Sequence, residues 1–107
     1  MEVLKLPKKI SILGIEYTVL ILPKAKMPQA EGEPDQGESD YEARTIKLQA
    51  GMGQQQTLST FLHEILHVAL YHSGQRDSLG LTTHADEGLV LALETALEPL
   101  LTFKFLG

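Results

Sequence analysis

Cysteine is absent from the chain. That removes disulfides, thiolate metal sites and cysteine nucleophiles together, and leaves His, Asp and Glu as the side chains able to hold a metal. Basic residues are in the minority, with 9 Lys and Arg against 14 Asp and Glu and a formal charge of -5. Phosphate backbones are bound mainly by clustered cations, and the sequence holds no such cluster, so DNA and RNA are not expected partners. No stretch approaches the roughly 18 apolar residues of a membrane span. Residues 1–7 also lack an apolar core of signal-peptide length, so a cytoplasmic protein without membrane contact is expected.

What is present is the composition of an ordinary soluble domain, 43% hydrophobic and 21% charged over 107 residues. A chain of this length has room for one core that buries roughly 60–65% of the unfolded surface, and residues 1–107 are read as one domain. Residues Lys9 to Leu22 are rich in β-branched and aromatic side chains and are broken by Leu13-Gly14, which predicts a β-hairpin. Residues 23–40 carry prolines, glycines and acids and predict a mobile loop. Alternation from Tyr41 to Leu48 predicts a third strand. Residues Gln54 to His72 contain neither Pro nor Gly and are followed by Gly74, the pattern of one long helix. A second helix is expected from about Thr83 to Leu101, with Pro99 able to end it early. The fold class is therefore α+β: a small antiparallel sheet of about three strands packed on two main helices.

The first helix carries His63-Glu64-Ile65-Leu66-His67. Histidines four apart on a helix project from one face, and the glutamate between them lies about 100° round, within reach of a metal-activated water. A solvent-facing polar stripe is the competing explanation. Against it, Leu58, Phe61, Leu62, Ile65, Leu66, Val68, Ala69 and Leu70 cover most of the helix circumference, so the polar groups need partners other than bulk water. A metal would supply one for both imidazoles.

Catalytic zinc takes three protein ligands, so a third is needed. His72 lies about 140° from His67 on the helix and reads as a surface or loop-capping histidine. The second helix offers His84, Asp86, Glu87 and Glu94. Glu87 and Glu94 share a face but are separated by about 10 Å along the axis, so one ion cannot take both. One is a candidate ligand and the other a second partner or a satisfied core acid.

The motif, followed after 19 residues by Glu87 in the run Glu87-Gly88-Leu89-Val90-Leu91-Ala92-Leu93, resembles the gluzincin metallopeptidases. The similarity is greatest to the very small minigluzincins and the phage-associated ImmA/IrrE-like group, and it extends to the segments Leu13 to Val19 and Thr45 to Leu48. The resemblance implies a zincin-like fold, Zn2+ held by His63, His67 and Glu87, Glu64 as general base, and a peptide or protein substrate. Glu94 departs from the family pattern, in which a small residue packing on the first helix is expected at its position; whether it orients a histidine stays open. Two other classes remain. One is a regulatory or interaction module with a closed or structural zinc site, for instance covered by residues Phe103 to Leu106. The other is a hydrolase acting on a different bond.

Overall fold

The computed structural model describes residues 6–30, 32–73, 87–88 and 90–97. Among the described residues six strands precede the first helix: β1 (Lys9–Ile12), β2 (Ile15–Leu22), β3 (Gln29–Ala30), β4 (Glu33–Pro34), β5 (Gly37–Asp40) and β6 (Thr45–Gln49). Helix α1 spans Gln54–Ser73. A second helix, α2, covers residues 87–88 and 90–97. The class is α+β. The start of α2, its expected end at Pro99 and Leu101, His84, Asp86 and the segment Phe103 to Leu106 all lie outside the described residues.

The β1–β2 hairpin forms where the sequence places it. Ile12 pairs with Ile15, so Leu13 and Gly14 make a two-residue turn, with φ of 52° and 80°. Positive φ at both centre positions is the type I′ geometry that matches the twist of the flanking strands. Glycine accepts it freely, whereas Leu13 carries a Cβ in a region that costs an L-residue roughly 1–2 kcal/mol. Leu13 is also 62% exposed, so little core is lost by removing it. Leu13→Asn is expected to stabilise the protein by roughly 0.5–1 kcal/mol, read as a higher midpoint in thermal or urea unfolding.

The main sheet has four strands in the order β1-β2-β6-β5, one more than expected. It is also mixed and not purely antiparallel: β2 runs parallel to β6, with Thr18 to Leu22 beside Thr45 to Gln49. The extra strand, β5, arises inside the segment expected to be a loop, which also contains the short β3–β4 pair and a single 3-10 turn at Lys24–Lys26. β5 pairs antiparallel with β6, Asp40 opposite Thr45. The expected strand over Tyr41 to Leu48 is thus shortened at its start, because residues 41–44 turn the chain. Asp40 Oδ1 holds that turn by accepting the backbone N–H groups of Glu42 and Ala43 at 3.1 and 2.9 Å, the usual service of an aspartate at a turn.

One face of the sheet is covered by α1. Ile12, Tyr17, Val19, Ile46 and Leu48 meet Phe61 and Val68 in a single cluster, with Ile65 and Ala69 packed at its margin. The inward strand residues recur at every second position and the helix residues at spacings of three and four, as the two geometries require. Tyr17 is wholly buried, and its hydroxyl lies 2.5 Å from His72 Nε2. His72 is therefore not a surface or capping group. It satisfies a buried phenol and sits among the rings of Tyr17, Tyr41 and Tyr71. No helix among the described residues is long and apolar enough to cross a membrane.

Candidate metal centre

His63 and His67 occupy one face of α1, one turn apart, and their side chains are 21% and 13% exposed. Their Nε2 atoms approach to 3.1 Å. Glu87 of α2 reaches both: Oε2 lies 3.4 Å from His63 Nε2 and Oε1 lies 2.7 Å from His67 Nε2. The three side chains form a group able to hold a metal ion, each offering one ligand atom within 4.8 Å of the others.

The fit can be tested against coordination geometry. Tetrahedral ligands at 2.0–2.1 Å from zinc stand roughly 3.3 Å apart, close to the 3.1 Å between the two Nε2 atoms and the 3.4 Å between His63 Nε2 and Glu87 Oε2. Two imidazole nitrogens facing each other at 3.1 Å repel if both present lone pairs, so either one of them carries a hydrogen and donates to the other, or both turn their lone pairs to a metal ion. His, His and carboxylate are donors suited to zinc and to other borderline divalent ions.

Glu64 points elsewhere, towards β5. Its side chain is buried, with the residue only 8% exposed, and Ser39 Oγ donates to its Oε1 at 2.7 Å. Burial pushes the Glu64 carboxyl above its usual range. The Ser39 hydrogen bond and the nearby His63 and His67 pull it back down, while Glu87 adds to the rise. An ion at the adjacent histidines would reinforce the downward pull on this carboxylate.

Two residues of β5 make this seat. Side chains on a strand alternate, so Gly37 and Ser39 both face α1. At Gly37 a Cβ would stand 2.6 Å from Thr60 Cγ2 and 3.2 Å from Glu64 Cγ and Oε2. The strand therefore lies against the helix at a distance that only glycine permits. Gly37→Ala is expected to push β5 away from α1 and destabilise the protein by about 1–3 kcal/mol, as overpacking does. Thr60→Ala in the same chain removes the closest clash and should recover part of the loss. Urea unfolding of the two single variants and the double variant reads the coupling.

Beside the centre lies a cleft of about 510 Å³, with Gly37 of β5, Thr60, His63 and Glu64 of α1, and Leu91 and Glu94 of α2 among its walls. The structure thus brings together the four residues to which the resemblance gives roles, with His63, His67 and Glu87 converging and Glu64 next to them. Sequence reasoning missed Gly37, Ser39 and Ser59, whose roles depend on which strand and helix lie opposite. Glu94, left open above, lies beside His63, with Oε2 at 2.9 Å from Nδ1. No family model matches the chain, and neither the curated proteins nor the solved structures contain a significant match to it.

Proposed function

We propose that the chain is a small zinc metallopeptidase of the gluzincin type, cutting peptide or protein substrates in the cytoplasm. The observation that carries this reading is the convergence of His63, His67 and Glu87 beside a buried Glu64, at the edge of an open cleft. Zinc, when bound, supplies Lewis acidity that lowers the pKa of a water towards about 7. The protein's own part falls to three groups of residues. His63, His67 and Glu87 bind the ion. Glu64 takes the proton from the attacking water and returns it to the departing nitrogen, the work of a general base and then a general acid. Burial of Glu64 under β5 keeps its carboxylate from bulk water, and the Ser39 hydroxyl fixes its rotamer. Among the described residues β5 is the edge strand of the sheet on the side away from β1, and an extended peptide laid along it would gain backbone pairing while crossing the site.

The test combines metal analysis with cleavage. The purified protein is expected to carry about one zinc, to cut members of a diverse peptide library read by mass spectrometry, to stop when a chelator is added, and to resume when zinc is restored. Zinc without cleavage, persisting after removal of residues beyond about Leu101, would replace the enzyme with the interaction module considered above.

A further inference from the structure

Glu94 is not one of the three converging groups, yet both of its carboxylate oxygens are engaged by α1. Oε2 meets His63 Nδ1 at 2.9 Å, and Oε1 accepts the hydroxyl of Ser59, one turn before His63 on the same helix face. The Glu94 side chain is 14% exposed, so solvent competes weakly for these bonds. An ionised carboxylate only accepts, so the hydrogen of the His63–Glu94 contact belongs to Nδ1. In a neutral imidazole the lone pair then resides on Nε2, the atom that faces His67 and Glu87. Because Nδ1 and Nε2 point out of different sides of the ring, Glu94 cannot share with Glu87 the ion that His63 Nε2 would bind.

We propose that Glu94, pinned by Ser59, is a positioning residue that holds His63 in the Nδ1–H form and aims its Nε2 at the metal group. The inference rests on the metal-binding half of the function proposed above and is independent of whether the protein hydrolyses anything. Each link has a distinct task. Without Glu94 the ring is free to turn about its own axis and to carry its hydrogen on Nε2, where it blocks coordination. Ser59 occupies the second oxygen and thereby stops the carboxylate from swinging off Nδ1. Partners of this kind, behind a ligating histidine, typically change metal affinity by about 10- to 100-fold.

The experiment uses the full chain with 15N-labelled histidine, observed by long-range 1H–15N NMR without metal near pH 8, where an ordinary histidine is neutral. Zinc affinity is measured in parallel by competition with a chelator. Wild type is expected to show His63 with its hydrogen on Nδ1. In Glu94→Ala the ring should lose that preference and zinc affinity should fall about 10- to 100-fold. Glu94→Gln retains an acceptor oxygen and should restore the tautomer and most of the affinity, which a purely structural role for the charge would not give. Ser59→Ala should keep the tautomer and lose less than about tenfold in affinity. A wild-type His63 protonated on Nε2 overturns the proposal, as does a Glu94→Ala protein that keeps both the Nδ1–H form and full affinity. Unchanged affinity in Ser59→Ala overturns the part assigned to Ser59. If Glu94→Ala does not fold, the wild-type tautomer and Ser59→Ala still decide. Failure of wild type to bind zinc would instead refute the metal reading, with the tautomer continuing to report on Glu94.

Discussion

Replacing Glu64 with glutamine is expected to leave zinc bound and to lower hydrolysis by roughly 10²- to 10⁴-fold, the effect of a lost general base. Glutamine keeps the length and the acceptor oxygen that Ser39 addresses but has no basicity with which to take a proton from water. The loss should therefore fall on kcat more than on KM, because the interaction removed is made as the proton moves. A variant as active as wild type would remove Glu64 from the mechanism even if the metal site proved right. The same substitution makes a second, independent prediction about stability without metal. Burial raises the Glu64 pKa in the folded protein, so the folded state favours the protonated form, and stability is lost as the pH rises through the raised value. At neutral pH wild type carries that cost and the neutral glutamine does not. Metal-free Glu64→Gln should thus melt higher than metal-free wild type at pH 7, with the gap closing as the pH falls below about 4.

The other large effect is loss of the ion itself. His67→Ala and His63→Ala are each expected to take zinc content from about one per chain to near none, because two remaining protein ligands hold the ion weakly. Glu87→Ala should also weaken binding severely, since its carboxylate is the group that reaches both imidazoles. Its effect should exceed that of Glu94→Ala, which leaves all three donors in place. Elemental analysis after gel filtration measures the histidine variants, and chelator competition ranks the two glutamates. Unchanged zinc in both histidine variants would move the site elsewhere in the chain, and the reverse ranking of the glutamates would make Glu94 the ligand.

Local signals in the sequence carry α1 almost to the residue, Gln54–Ser73 against an expected end at His72, because helical periodicity and the absence of Pro and Gly are properties of the segment itself. The Leu13-Gly14 turn is legible for the same reason. β5 is not. Gly, Glu, Ser and Asp are all poor strand formers, and this stretch becomes a strand through its pairing with β6, a partner the local pattern does not name. The parallel alignment of β2 with β6 is equally a long-range fact. The site divides along the same line. The spacing of His63, Glu64 and His67 declares itself on one helix, while Glu87 needed a resemblance to be preferred over Glu94. Gly37 and Ser39 act only through what lies across from them, and a glycine in an acidic, proline-bearing stretch reads as flexibility when its use is close approach.

The ligand set also bears on the chain as a polymer. His67 and Glu87 stand 20 positions apart in the sequence, and an ion held by both would add a tie between α1 and α2 to the hydrogen bonds that Glu94 already makes to Ser59 and His63. Such a tie restricts the unfolded ensemble much as a disulfide does, where closing a loop of about 15 residues contributes about 3 kcal/mol in the chain-entropy account. In a protein of 107 residues without a single cysteine, the centre proposed for chemistry would then also be the molecule's cross-link, and one that a chelator can open and added metal can close.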